Sequence, residues 1–246
     1  MFRASVNTKT GAMIKIALLT PVWKRHELTR LYFDNVKRIT EYKPDLFSVC
    51  AIIALSETWA ENLCKEYGFR YVFVDNDPLG AKMNAGLKDV INEPFDWLIT
   101  NGSDDFVEPT FLDEYLPYFK TKKAFGIATV NVLNHKTREQ KVWPIGYAFG
   151  ALRAIRFDVV RVASITKDGF VGLWPKHLNR ALDFYSAERL EQKTGTRIEV
   201  VEIETRLWDV KSDTSINRWG KIKGHIINTP LNQLPKEVVK IYQLPA

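Results

Sequence analysis

The segment Ile14 to Thr20, IKIALLT, is a short and almost continuous apolar run closed by Pro21. A strand with apolar side chains on both faces has to be covered on both, as an inner strand of a parallel sheet is. From Glu27 to Ile39, apolar residues recur at Leu28, Leu31, Tyr32, Val36 and Ile39, which is one face of a helix. The alternation then repeats. Phe47 to Leu55 reads as strand, Glu57 to Tyr67 as helix closed by Gly68, and Tyr71 to Val74 as strand. Lys82 to Ile91 follows as helix and Trp97 to Thr100 as strand. This order predicts an α/β fold, a mostly parallel central sheet flanked by helices with right-handed crossovers.

After Phe106 the rhythm changes. Thr110 to Phe119 reads as helix, Ala124 to Val132 and Val142 to Tyr147 as strands, and His177 to Thr194 as the longest helix. Arg197 to Ile203 reads as a further strand, and Trp208 to Gly224 as a polar, turn-rich stretch. A chain of 246 residues, 46% of them hydrophobic, can bury one core without disulfides, so one domain is expected over 13–246. Residues 1–12 are polar and unpatterned and are expected to be a mobile extension. The only cysteines, Cys50 and Cys64, lie in apolar periodic segments, as expected of a reduced, cytoplasmic protein. No apolar run approaches the ~20 residues that span a bilayer, so no membrane span is expected. The formal charge of +6 is scattered along the chain. A broad basic surface of this kind favours anionic ligands, nucleoside diphosphates and nucleic acid alike.

In open α/β sheets ligands bind beyond the carboxyl ends of the strands, which directs attention to TPVWKR, LSET, DNDPLGAKMN and TNGSDDF. In the last of these, Asp104 and Asp105 stand side by side after a buried strand. Their mutual repulsion is most simply offset by a cation, and Mg²⁺ or Mn²⁺ held there would screen charge on a departing diphosphate. A solvated acidic turn capping the helix from Thr110 is the other reading. In Leu79-Gly80-Ala81-Lys82, Gly80 permits close backbone approach, Lys82 supplies a cation, and a helix N-terminus offers amides to a phosphate. An ordinary glycine turn with a solvated lysine is the alternative.

Taken in order, TPVWKR, LGAKMNAGL and LITNGSDDF resemble the family 2 GT-A glycosyltransferases over roughly Ile14 to Pro109. The resemblance implies a GT-A, Rossmann-like fold with a smaller acceptor-side sheet, residues 13–109 binding the nucleotide sugar and 110–246 building the acceptor half. It implies transfer of a sugar from a nucleoside-diphosphate donor to a hydroxyl with Mn²⁺ or Mg²⁺. Thr20, Pro21, Val22 and Glu57 would contact the nucleoside, Asp104 the ribose and Asp105 the metal. Tyr147-Ala148-Phe149-Gly150-Ala151 matches an acceptor-side stretch. Asp183, with Glu188 behind it, would be the general base of an inverting member, since a sugar hydroxyl needs a carboxylate to accept its proton. A retaining enzyme would need no such base. By position, Lys211 would neutralise phosphate charge in a segment closing over the diphosphate, and Asp209 or His225 would complete the metal shell. His225 reads equally as an ordinary surface or core histidine. Trp143, Trp174 and Trp208 are candidates for a sugar platform, although aromatics of this kind usually sit in the core.

Two further functions stay open on the residues. One is a nucleotidyltransferase making nucleotide sugars, although TPVWKR lacks the glycine such enzymes carry after the first strand. The other is a non-catalytic module holding nucleic acid on the basic face. The acceptor of a transferase could be a carbohydrate, a lipid-linked sugar, a protein or a nucleic acid, the last including DNA modification.

Overall fold

The computed structural model describes residues 12–212 and 219–244, so the expected extension lies outside the described residues except for Ala12. The first half alternates as its patterning predicts: β1 (Ile14–Pro21), α1 (His26–Thr40), β2 (Phe47–Leu55), α2 (Thr58–Tyr67), β3 (Arg70–Phe73), α3 (Leu79–Val90) and β4 (Trp97–Thr100). Strand β1 lies between β2 and β4 and pairs parallel with both. Its alternate residues go to opposite faces: Ile16 and Leu18 join the core under α1, while Ala17 and Leu19 join a second core under α3. That two-sided burial is why the run is apolar without alternation. Gly68 closes α2 in the left-handed conformation at φ 71°, where a Cβ would be strained.

The second half holds β5 (Asp105–Phe106), α4 (Phe111–Thr121), β6 (Ala124–Ile127), β7 (Thr129–Asn134), β8 (Gln140–Pro144), β9 (Arg153–Arg156) and α5 (Phe157–Ser164). It continues with β10 (Ile165–Thr166), β11 (Gly169–Phe170), α6 (Leu182–Thr194), β12 (Glu199–Val201), β13 (Trp208–Lys211), β14 (His225–Ile227) and α7 (Lys236–Ile241). The large sheet has the order β12-β6-β9-β4-β1-β2-β3. Within it only β9 runs antiparallel, between β4 and β6. A smaller sheet has the order β14-β8-β7-β13-β5, and β10 and β11 form a hairpin.

Three expectations are corrected. Ala124 to Val132 is two strands in different sheets: the chain leaves the large sheet after Ile127, and Ala128 turns its carbonyl to Ile145 N, 2.8 Å away. The helix expected from His177 begins at Leu182, with Ala181 left-handed at φ 57° before it. The residues ahead of it cap α3: Gly80 N donates to Leu178 O at 2.9 Å and Leu79 N to Asn179 Oδ1 at 2.6 Å. Trp208 to Lys211 is a buried strand, paired parallel with β7 and antiparallel with β5, rather than the start of a turn-rich stretch. Residues 213–218 of that stretch lie outside the described residues. Cys50 and Cys64 are free thiols, and burial pushes Cys64 up to about 12. Among the described residues no helix is long and apolar enough to cross a membrane.

Candidate functional site

A cavity of about 680 Å³ opens at the carboxyl ends of β1, β3 and β4 and is closed on the far side by the first turn of α6. Residues 101–105 form a tight turn that aims two carboxylates into it. Gly102 N donates to Asp105 Oδ2 at 2.8 Å, and Asn101 Nδ2 to Asp105 O at 3.0 Å. A Cβ on Gly102 would lie 2.4 Å from that Oδ2, so the turn admits no side chain there without moving Asp105. Strand β13 supplies the third carboxylate. Its alternation sends Trp208 and Val210 to the core and Asp209 and Lys211 to the cavity wall. Asp104, Asp105 and Asp209 each offer an oxygen within 4.8 Å of the others.

Two cations face them. Arg25 Nη1 lies 2.7 Å from Asp104 Oδ2 and Arg25 Nη2 donates to Ser103 Oγ at 3.0 Å. Lys211 Nζ sits 2.5 Å from Asp209 Oδ2, an ion pair made outside hydrogen-bond geometry, and 3.9 Å from Asp104 Oδ2. The consequences differ for each acid. Burial would raise Asp104, but Arg25 and Lys211 outweigh it and hold the group below its ordinary range. Asp105 goes the other way: burial, then Asp209, then Asp104 push it well above the carboxylate range. Burial raises Asp209 to about 6, with Lys211 opposing. Lys211 itself is raised, because Asp209 and Asp104 outweigh its desolvation.

The donor set is all oxygen. Asp105 Oδ1 and Asp209 Oδ1 are buried without a hydrogen-bond partner among the described residues. A buried acceptor left unpaired costs about 1–3 kcal/mol. Crowded, partly orphaned carboxylates of this kind fit a hard divalent cation.

The residues singled out from sequence separate into groups. Pro21, Val22, Lys82, Asp104, Asp105, Asp183, Asp209 and Lys211 all line the cavity. Thr20 does not; it is fully buried and shares a 2.7 Å hydrogen bond with the Tyr32 hydroxyl. Glu57 is also outside the wall, accepting from Lys24 N at 2.6 Å and so fixing the loop after β1. Lys82 is not free for a phosphate: its ammonium donates to Val22 O, Ser56 Oγ and Asn76 Oδ1 at 2.6, 3.2 and 3.0 Å. Two N-terminal amides of α3, those of Leu79 and Gly80, are likewise spent on Asn179 and Leu178. Gly80 serves close approach to protein, since a Cβ there would lie 1.9 Å from Pro175 O.

Across the cavity, the Asp183 carboxylate packs over Gly150, where a Cβ would lie 2.2 Å from Asp183 Oδ1. Arg153 grips the start of α6 by donating to Asp183 O at 2.8 Å and Ser186 Oγ at 3.0 Å, and reaches Ala148 O at 2.7 Å. Glu188 is exposed on α6 and lies outside the cavity wall. His225 is exposed on the edge strand β14 and takes no part in the acidic cluster. Of the three tryptophans expected to form a sugar platform, Trp208 is core, Trp143 packs on the core, and Trp174 alone lines the cavity. Sequence reading passed over Arg25, Asn76 and Arg153 as site residues. Arg25 and Arg153 are marked by pairing with Asp104 and Asp183, distant along the chain, whereas Asn76 bonds Lys82 only six residues on. Trp23, 38% exposed at the cavity rim, was also missed.

No family model matches the chain, and no curated protein matches it. Solved structures do. The chain is similar to S. aureus TarS 1–349, with a TM-score of 0.56 and 12% identity, covering 80% of this chain and 60% of that one. The same protein in complex with UDP-GlcNAc matches with a TM-score of 0.54 and 12% identity over 82% of this chain and 60% of that one. In complex with UDP it gives 0.54 and 12% over 81% and 61%. The chain thus spans about 60% of the length of these structures. At such identity the likeness concerns the fold alone: a GT-A α/β fold, with a mostly parallel central sheet flanked by helices and a smaller second sheet.

Proposed function

We propose that this protein is a metal-dependent glycosyltransferase that moves a sugar from a nucleoside diphosphate to a hydroxyl acceptor, with inversion. The observation that carries the reading is the cluster of Asp104, Asp105 and Asp209 in the cavity wall, with buried oxygens that lack partners. The GT-A fold, shared with a protein crystallised with UDP-GlcNAc, supports it. So does the placement of Asp183 across the same cavity. Membership of family 2 is part of the proposal and rests on TPVWKR, LGAKMNAGL and LITNGSDDF.

Asp105 and Asp209 would hold Mn²⁺ or Mg²⁺ through their unpartnered oxygens, with Asp104 beside them. When bound, the ion supplies electrostatic stabilisation of the departing diphosphate. Arg25 and Lys211 add positive charge on the same side. Pro21 and Val22 border the nucleoside side of the cavity, and Thr20 and Glu57 support that loop from behind. Asp183 accepts the proton of the attacking hydroxyl. Its carboxylate has no hydrogen bond among the described residues, and Arg153 holds the backbone beneath it in place.

Thermal unfolding with UDP, GDP, CMP, TDP and ADP, each with and without Mn²⁺, tests the donor site, because a ligand that binds the folded state raises its stability by mass action. A metal-dependent rise with one nucleotide is expected. A folded sample that responds to none of them would sink the proposal.

A further inference from the structure

The loop after β1 carries two consecutive residues in the left-handed region, Lys24 at φ 55° and Arg25 at φ 57°. Neither is glycine, so the surroundings must hold the backbone there. They do. Val22 O accepts from Lys82 Nζ at 2.6 Å, and Lys24 N donates to Glu57 Oε2 at 2.6 Å. Thr29 takes the next two carbonyls, Lys24 O through its Oγ1 at 3.2 Å and Arg25 O through its N at 2.8 Å. With the backbone pinned from α1, α3 and the start of α2, the Arg25 side chain is the part that can turn within the cavity it lines.

That side chain is not bound to its best partner. Nη1 lies 2.7 Å from Asp104 Oδ2, while Nη2 donates to the Ser103 hydroxyl at 3.0 Å. A guanidinium fork is best matched by two oxygens of one anion, as a phosphate offers. Lys211 is placed differently, on the buried strand β13 and 2.5 Å from Asp209 of the same strand. Charge points the same way. With all three acids ionised, Arg25 and Lys211 leave one negative charge on the cavity wall, which a divalent ion overshoots by one. A diphosphate beside the ion removes that excess and offers Arg25 a two-oxygen partner.

We infer that Arg25 is a diphosphate-binding residue that pairs with Asp104 until the donor arrives and then turns to the diphosphate. The metal ion and the diphosphate therefore each bind more tightly with the other present, while Arg25 competes with the ion when the ion comes alone. This rests on the donor reading above.

The test compares the wild type with Arg25→Met and Arg25→Lys in two measurements. Mn²⁺ binding to nucleotide-free protein is read from the EPR signal of the free ion. Nucleotide binding in saturating Mn²⁺ is read by calorimetric titration of UDP and UMP, or of the matching pair of whichever base the unfolding test selects. Arg25→Met frees Asp104 from its cation, so Mn²⁺ alone should bind roughly tenfold more tightly and the diphosphate roughly tenfold more weakly, a factor ordinary for coupled sites. The monophosphate should lose less than the diphosphate. Arg25→Lys keeps the charge without the fork, so it should leave Mn²⁺ binding near the wild-type value and still weaken the diphosphate. Should Arg25→Met fail to fold, Arg25→Lys carries the test. An ion pair that serves only the fold would move both affinities in one direction or move neither. Either result, or equal losses for the monophosphate and the diphosphate, would overturn the inference and leave the donor reading standing. A folded wild type that binds no nucleotide would remove both.

Discussion

Three carboxylates within 4.8 Å of one another make the acidic cluster the point where stability and function pull in opposite directions. Asp105→Asn removes one charge from the crowd. The metal-free variant should melt at or above the wild-type temperature, and the rise produced by Mn²⁺ in the wild type should disappear. The pH dependence follows from Asp209, whose folded value of about 6 lies above the ordinary carboxylate range. Between about pH 4 and 6 the folded state binds more protons than the unfolded chain, so metal-free stability falls as pH rises through that window. Cation binding needs the deprotonated acids, so the Mn²⁺-induced rise in melting temperature should grow from pH 5 to pH 7. Melting curves across that range, with and without MnCl₂, check both trends, and Asp209→Asn should flatten them. Asp183→Asn should keep the nucleotide-induced shift and lose roughly 10²–10⁴-fold in kcat, the ordinary worth of a general base. Turnover retained in that variant would exclude Asp183 as the base.

At the scale of elements, the junction between α3 and the segment before α6 is the tightest backbone contact near the cavity. Gly80→Ala would place a methyl group 1.9 Å from Pro175 O, where no flexible side chain can yield. Overpacking of this kind costs about 1–3 kcal/mol, and urea unfolding should report at least that much. Gly86→Ala meets Leu19 Cδ1 at 2.5 Å, the movable end of a side chain, and should cost less. The same junction explains why helical periodicity from His177 did not become helix. Leu178 O and the Asn179 side chain are taken by the N-terminus of α3, an element far away in sequence. Periodicity reports which residues face the core, and a loop packed against the core can imitate a helix over one or two turns. Strand β13 was legible in principle, because Trp208, Asp209, Val210 and Lys211 alternate apolar and charged residues. The charged face turns toward a cavity rather than solvent, and that masked the pattern.

Across the whole molecule, Arg38 on α1 bonds both Glu108, ahead of α4, and Glu237 on α7, and Glu237 is fully buried. Arg38→Met would leave the Glu237 charge without its partner, so a loss of about 3 kcal/mol is expected in denaturant unfolding, at the lower end for broken buried pairs because Arg38 is partly exposed. The alternation of β1 to β4 with α1 to α3 could be read from sequence because each element's burial is written in its own side-chain period: continuous apolar runs for strands covered twice, a 3.6-residue stripe for helices covered once. The acidic pair could be read as a site for the same local reason, two adjacent acids directly after a buried strand. The tertiary structure selected Asp209 over His225 as the third member of that cluster, set Arg25 against Asp104, closed Lys82 into a cage of oxygens and brought Asp183 to the opposite wall. Those relations depend on distances between residues far apart in the chain, set by sheet order and register, which no local pattern encodes.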